Sequence, residues 1–238
     1  MHHTERSDST LPKFTPLTEK DRTLSTRPET SVVGQLLEEL KREVARYMPA
    51  ADIHATPAVR RLVTYRDAIA PNFVPWMTHV WVRCKSDFAR EACQDNLLCE
   101  VKEDHPQMLR DYVAQVERQF VREQLEQWPV PSWLSAAVPH INFITALTQR
   151  SAIDGLLVMA ALENTSLVFI PRMKAWGESL RFADFTYVDK HGVADIAHAD
   201  EFRKAVEAEA AAQNVALSSL AQSPALGTVN DLLYSIFG

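Results

Sequence analysis

Apolar residues recur at helical spacing along most of the chain, separated by short polar or proline-containing breaks. The first clear repeat begins after Ser31, a suitable N-cap residue, and ends at Pro49. Its apolar positions fall on one helical face: they are Val32, Leu36, Leu37, Leu40, Val44 and Met48. The same pattern predicts further helices over about residues 57–69, 73–100, 106–120, 141–174, 179–214 and 228–237.

The longest apolar stretch, residues 141–174, predicts a central helix or a pair of helices with a kink or break at Pro171. Strand-like alternation is scarce. Phe182, Phe185 and Tyr187 could suggest a strand, but a helix running into His191 is favoured. Glycine is rare, at 6 residues, and good helix formers dominate the composition. The predicted fold class is therefore all-α.

The N-terminal residues differ from the rest of the chain. Residues 1–30 are polar and contain Pro12, Pro16 and Pro28, so they can bury little surface and are expected to form a mobile arm. Residues 31–238 carry the apolar repeats and are expected to fold as a single helical domain. Residues 128–140, rich in tryptophan and proline, are expected to be a connection within it.

Composition excludes several classes of function. The net charge is −6 and no basic stripe is interleaved with aromatic residues, which speaks against nucleic acid as a partner. No apolar run approaches about 18–20 residues, so no membrane span is expected. The N-terminus lacks an apolar signal core, and Cys84, Cys93 and Cys99 fit free thiols in a reducing cytoplasm. A cytoplasmic globular protein is the expected class.

The segment from His191 to His198 carries the strongest chemical signal. On a helix, His191, Asp195 and His198 point to the same side, because steps of four and seven residues return to nearly one face. Two imidazoles and a carboxylate on one face are a suitable half-site for iron, manganese or zinc. The alternative is a solvated polar face with two chance histidines.

Three further residues could complete such a site. Glu163 lies inside an apolar run, where a carboxylate is costly unless it is paired or binds a metal; the alternative places it on the solvated side of its helix. Glu100 falls at a predicted helix end. His105 falls at a junction, because Pro106 disfavours helical geometry at the preceding residue.

These residues occur in three segments: Asn96-Leu97-Leu98-Cys99-Glu100 followed by His105-Pro106-Gln107-Met108-Leu109, then Ala161-Leu162-Glu163, then His191-x3-Asp195-x2-His198. Over about residues 32–215 the chain thereby resembles the haem-oxygenase-like diiron oxidases, relatives of the TenA/PqqC superfamily. The resemblance implies a haem-oxygenase-like bundle of about seven to eight helices. It further implies that two Fe²⁺ ions are bound by Glu100, His105, Glu163, His191, Asp195 and His198.

One spacing departs from the family pattern. Glu100 and His105 are five residues apart, whereas relatives often separate the corresponding ligands by three or seven. Both side chains cannot lie on one regular helical face at that spacing, so a bend, bulge or break near Lys102 is required. Glu103 is an alternative first ligand, but Glu100 is preferred because it follows the Asn-Leu-Leu segment.

The resemblance implies an O₂-dependent oxidase or desaturase that uses an external electron donor and a small-molecule substrate. A small free amino acid is favoured as substrate, because Arg83, Arg172 and Arg181 are candidates to anchor its carboxylate. The arrangement is most similar to the azetidine-forming amino-acid desaturases of polyoxin biosynthesis, which implies natural-product biosynthesis. Candidate substrate contacts are Trp76, His79, Ile170, Arg172 and Tyr187. A homodimer is compatible with these features.

Several alternatives stay open at this point. Other members of the family are fatty-acid decarboxylases or amine N-oxygenases. A metal-free enzyme of the thiaminase or PqqC type would use thiol or acid–base chemistry, with Cys99 and Glu163 as the central residues. A non-catalytic helical domain is the third possibility. Aromatic residues mostly pack in cores, and each arginine could equally form a surface ion pair.

Overall fold

The computed structural model describes residues 31–50, 55–119 and 134–238. Within these ranges the chain forms helices and no strand, which confirms the all-α prediction. The expected arm over residues 1–30 and the start of the connection at Trp128 lie outside the described residues. The helices are α1 (Val32–Tyr47), α2 (Ala55–Ile69), α3 (Phe73–Trp81), α4 (Asp87–Lys102), α5 (His105–Gln119), α6 (Val138–Arg150), α7 (Ala152–Ser179), α8 (Thr186–Ala212), a 3₁₀ helix (Leu217–Gln222) and α9 (Pro224–Phe237).

Helix α7 is the centre of the bundle. Ser151 begins it by accepting a hydrogen bond from the Asp154 backbone N–H, and α1, α3, α6, α8 and α9 all pack around it. Among the described helices, α7 alone is long and apolar enough to cross a membrane, but 83% of its most apolar window is buried inside the bundle. Its apolar character on all sides is that of a core helix.

Of the two alternatives at Pro171, a kink or a break, the break is wrong, because α7 continues through this residue to Ser179. The interruption of residues 141–174 lies instead at Ser151, which ends α6 and caps α7. A proline inside a helix costs about 3 kcal/mol. Burial of the flanking Phe169, Ile170 and Met173 offsets that cost, while Pro171 itself is exposed.

The helix predicted over residues 73–100 is two helices. Helix α3 ends at Trp81, and α4 begins after Ser86, whose side chain caps it. The turn between them is held by Glu209 of α8. This buried carboxylate accepts hydrogen bonds from the backbone N–H groups of Lys85 and Ser86 at 2.8–2.9 Å. A partner more than a hundred residues away therefore decides where this helix breaks.

The helix predicted through residues 179–190 is also interrupted, because α8 begins only at Thr186. Gln115 of α5 holds the preceding turn. Its amide oxygen accepts from the backbone N–H groups of Ala183 and Asp184, and its amide nitrogen donates to the Asp184 carbonyl at 2.7 Å. This clamp fixes the start of α8, the helix that carries His191.

Two glycines provide a test of the packing. At Gly177 a Cβ atom would press on the Tyr112 hydroxyl and on Phe182, whereas at Gly192 it would meet nothing within 4 Å. We expect Gly177→Ala to lower the free energy of unfolding by about 1–3 kcal/mol through overpacking. Gly192→Ala is expected to raise it by about 0.5–1 kcal/mol through helix propensity.

Urea denaturation followed by circular dichroism measures both changes, and each variant serves as the control for the other. A stabilised Gly177→Ala variant, or a destabilised Gly192→Ala variant, would contradict this account of the packing around α7 and α8.

Candidate metal centre

Four helices bring the six predicted ligands to one region inside the bundle. Helix α4 contributes Glu100 from its last turn, and α5 contributes His105 as its first residue. Helix α7 contributes Glu163 from its buried middle. Helix α8 contributes His191, Asp195 and His198, and it packs along α7 more extensively than any other pair of described helices. The shared face predicted for α8 is therefore turned inward against α7.

The six side chains form two groups of three. In the first group, His105 Nδ1 lies 2.8 Å from Glu100 Oε1, and His191 Nε2 lies 3.9 Å from the same oxygen. In the second group, His198 Nδ1 lies 3.7 Å from Glu163 Oε2, with Asp195 beside them. Within each group one ligand atom from every residue lies within 4.8 Å of the others. Each group could hold one metal ion.

The geometry favours Glu100 over Glu103 as the carboxylate of the first group. Glu100 is 6% exposed and faces both His105 and His191. Glu103 is exposed, and its carboxylate accepts a hydrogen bond from the Lys190 ammonium. Cys99, Glu103 and His105 also lie close together. Glu103, however, is already paired with Lys190, and this ion pair holds the pKa of Glu103 below its usual range.

The five-residue spacing between Glu100 and His105 is accommodated by a tight turn. Helix α4 ends at Lys102, and α5 begins at His105. Asp104 in the turn has φ of 52°, a left-handed conformation that aspartate tolerates better than most residues. The break expected near Lys102 is therefore present, and it turns His105 back toward Glu100.

The pKa values of the ionisable groups in the site are shifted in different directions by their surroundings. Burial, followed by the neighbouring Glu163 carboxylate, raises the pKa of Asp195 to about 8. Burial lowers the pKa of His191 to about 4, so this imidazole is neutral at pH 7. Burial also disfavours the charged forms of His105 and His198, but hydrogen bonds to Glu100 and Glu163 outweigh it and raise both pKa values.

The donor set fits divalent metal ions. Neutral imidazoles and carboxylates are ligands that iron, manganese and zinc accept. His191 Nδ1 donates to the Tyr187 carbonyl at 2.9 Å, which fixes the tautomer and leaves Nε2 as the ligand atom toward Glu100. The Oδ1 atom of Asn96 is buried and has no hydrogen-bond partner in the described part of the chain, while its Nδ2 atom donates to Glu163. A cation at the two groups would neutralise carboxylates that burial otherwise penalises.

A cavity of about 500 Å³, including its open mouth, adjoins both groups. Its polar wall contains Glu100, His105, Glu163, His191 and Asp195. The remaining wall is mainly apolar and aromatic: it is formed by Tyr65, Ile69, Ala70, Phe73, Pro106, Leu109, Leu162, Ser166, Phe169 and Tyr187. The candidate metal ligands thus face a space in which an apolar group would be sheltered from water.

Of the five predicted substrate contacts, Tyr187 lines this cavity and the other four do not. Trp76 Nε1 donates to Thr145, and His79 Nδ1 lies 3.3 Å from the Thr148 hydroxyl, so α3 turns both toward α6. The packing of α3 keeps both residues out of the cavity wall, and their contact with a substrate stays a prediction.

Helix phase on α7 explains why the other two residues, Ile170 and Arg172, do not line the cavity. Phe169 lines the cavity, and Ile170 is buried elsewhere, because neighbouring helical residues point in different directions. Arg172 does not reach the cavity, and neither Arg83 nor Arg181 lines it. The anchoring of a substrate carboxylate by one of these arginines stays a prediction.

The residues that sequence reasoning missed lie mainly at the end of α2. Tyr65, Ile69 and Ala70 line the cavity, but in the sequence they read as ordinary apolar positions. Their role depends on α2 packing against α5 and α7. No local signal distinguishes them from other core residues.

Neither a scan against protein-family models nor a search of the curated proteins found a match to this chain.

The pKa shifts predict how stability depends on pH without metal. Between pH 6.5 and about 8 the folded protein binds more protons than the unfolded chain, because Asp195, His105 and His198 all have raised pKa values. The lowered pKa of His191 acts below this window. The free energy of unfolding of metal-free protein should therefore fall by about 1–2 kcal/mol as the pH rises from 6.5 to 8.

Urea titrations of chelator-treated protein at the two pH values measure this change. Glu163→Gln should reduce it, because the substitution removes a charge that raises the pKa values of Asp195 and His198. Glu43→Gln, at an exposed surface pair with Arg46, is the matched control and should leave it unchanged. A free energy of unfolding that rises between pH 6.5 and 8 would contradict the raised pKa values assigned to Asp195, His105 and His198.

Proposed function

We propose that this protein is a cytoplasmic non-haem diiron oxidase or desaturase that uses O₂, a member of the haem-oxygenase-like diiron oxidases. The supporting observation is the meeting of two adjacent carboxylate–imidazole groups at one cavity. The first group draws its ligands from three helices and the second from two, in the chain order that the resemblance implies. Chance surface histidines would not be buried with three carboxylates inside a bundle.

Each residue has a definite role in this proposal. Glu100, His105 and His191 hold one Fe²⁺ ion, and Glu163, Asp195 and His198 hold the other. When bound, the two ions supply the reduction of O₂ that oxidises a substrate C–H bond. The bundle holds the ligands in place, and the apolar wall excludes water and orients the substrate. Desaturation removes two electrons and two protons from the substrate, and an external donor provides the other two electrons that convert O₂ to water.

The substrate carries an apolar portion that fits the wall formed by Phe73, Leu109 and Phe169. A small amino acid with an apolar side chain is the first candidate, oxidised by desaturation, cyclisation or a related step. A medium-chain fatty acid is the second candidate, because the wall of the cavity is mainly apolar and aromatic. Both belong to the substrate classes implied by the family resemblance.

The thiol alternative has less support. Cys99 does not line the cavity, and burial, together with the neighbouring Glu103 and Glu100, raises the pKa of its thiol. A raised pKa disfavours the thiolate that nucleophilic chemistry requires. The non-catalytic alternative leaves the three buried carboxylates unexplained.

Iron binding is the direct test. Anaerobic protein titrated with Fe²⁺ should bind about two ions per chain. His191→Ala and Glu163→Ala should each lower the stoichiometry or weaken binding by at least about tenfold, because each removes a ligand from one group. His140→Ala, at a half-buried position outside both groups, is the matched control. Circular dichroism checks that all three variants remain helical.

Binding of less than one iron per chain by the unaltered protein would overturn the proposal. Unchanged iron binding in both His191→Ala and Glu163→Ala would do the same for the ligand assignment.

Oxygen consumption tests the substrate class. Ferrous protein with a chemical reductant should consume O₂ faster in the presence of an accepted substrate than without it. Apolar amino acids such as leucine and valine should stimulate uptake more than aspartate or lysine, whose charged side chains meet the apolar wall. Stimulation by octanoate alone would select the fatty-acid candidate. Stimulation by charged amino acids alone would contradict both candidates.

A further inference from the structure

Among the described residues that line the cavity, the hydroxyls of two tyrosines are polar groups that the candidate metal centre does not use. Tyr65 on α2 and Tyr187 on α8 both line the cavity and are 5% and 4% exposed. Ser166, the other hydroxyl in the wall, donates to the Glu163 carbonyl at 2.6 Å. The imidazoles and carboxylates there are engaged with one another in the two groups described above.

The two phenols contact each other weakly. Their oxygen atoms lie 3.4 Å apart, longer than the usual O–H···O distance of about 2.7–2.8 Å. When one hydroxyl donates to the other, the hydrogen of the accepting hydroxyl remains available. The structure gives neither hydroxyl a second partner among the described residues. A buried hydroxyl of this kind is suited to a ligand acceptor in the space that both phenols line.

A third buried tyrosine shows the contrast. Tyr112, 2% exposed, donates to the Met173 carbonyl at 2.6 Å and is thereby satisfied within the protein. Its ring lies 6.1 Å from that of Tyr187, so the two residues share the same aromatic cluster. A buried tyrosine in this aromatic cluster can therefore donate its hydroxyl hydrogen to a backbone carbonyl, as Tyr112 does.

The position of the pair places a bound group beside the candidate metal centre. The Tyr187 ring lies 4.2 Å from the His191 ring, measured between centroids, and the Tyr187 carbonyl accepts from His191 Nδ1. On the other side, the Tyr65 ring packs at 5.1 Å against Phe169 in the apolar wall. The pair thus contacts both the candidate metal centre, through Tyr187, and the apolar wall, through Tyr65.

We propose that Tyr65 and Tyr187 together form the subsite for a carboxyl or carbonyl oxygen of the substrate, which the hydroxyls bind as neutral hydrogen-bond donors. The substrate class is then an apolar chain or side chain attached to such an oxygen-bearing group. This inference rests on the proposed function in that it assigns the same cavity to the substrate. It replaces the arginine anchor expected from the sequence with an uncharged one.

Binding of small probes to the full chain tests this proposal without any reaction. Hexanamide carries a neutral carbonyl acceptor, hexanoate carries a carboxylate, and hexane carries neither. Dissociation constants are measured by NMR titration, for metal-free protein and for protein loaded with redox-inert Zn²⁺. Tyr65→Phe and Tyr187→Phe should each weaken hexanamide binding by about three- to tenfold, with hexane binding changed by less than about twofold.

Tyr112→Phe is the matched control, because it removes a buried hydroxyl of the same aromatic cluster and should leave binding of all three probes unchanged. The Zn²⁺-loaded protein could bind hexanoate more tightly than hexanamide. If the same two substitutions also weaken hexanoate binding, the result supports the proposal with a carboxylate as the bound group. The reverse order with the same sensitivity would support it with a neutral carbonyl.

Two results would overturn the proposal. One is hexanamide binding that neither substitution changes; the other is an equal loss for hexanamide and hexane, which would indicate packing alone. Because tyrosine and phenylalanine differ by one hydroxyl, both variants are expected to keep the fold, and circular dichroism verifies it. Selective loss in metal-free protein that binds no iron would sustain this inference while rejecting the diiron function, so the two failures are distinguishable.

Discussion

The burial of two carboxylates against each other, Glu163 on α7 and Asp195 on α8, is the constraint on which the site depends. Like charges at close range inside a protein are unfavourable unless one is protonated or a cation lies between them. The raised pKa of Asp195 is the consequence without metal. His198 and Asn96 both turn toward Glu163, as is expected around a centre that is completed by a divalent ion.

The long contact between α7 and α8 makes this arrangement possible, and distant polar side chains set its ends. Gln115 clamps the turn before Thr186 and so fixes the phase of α8. Glu209, near the other end of α8, holds the turn that begins α4 and thereby positions Glu100. Such buried, fully hydrogen-bonded groups specify one packing arrangement among several that apolar contacts alone would allow. The two groups of candidate metal ligands are therefore positioned by polar contacts near both ends of α8.

The cavity has one polar side and one apolar side. Carboxylates and imidazoles occupy the side formed by α4, α5, α7 and α8, while Ile69 and Phe73 belong to the opposite, apolar side. The O₂ chemistry proposed for this site would benefit from this division, because an apolar wall keeps water away from a substrate carbon. Tyr65 and Tyr187 contact both sides of the cavity, and the subsite proposed for them would bind the polar end of a substrate.

The sequence by itself determined the all-α class, the inward face of α8 and the junction at His105, because these follow from the 3.6-residue period and from proline geometry. It also singled out Glu163, since a carboxylate in an apolar run requires a partner. Only the tertiary structure decided that α4 begins at Asp87, that Glu100 rather than Glu103 faces His191, and which residues of α2 line the cavity. Those features depend on contacts between segments far apart in the chain, and local periodicity carries no information about such contacts.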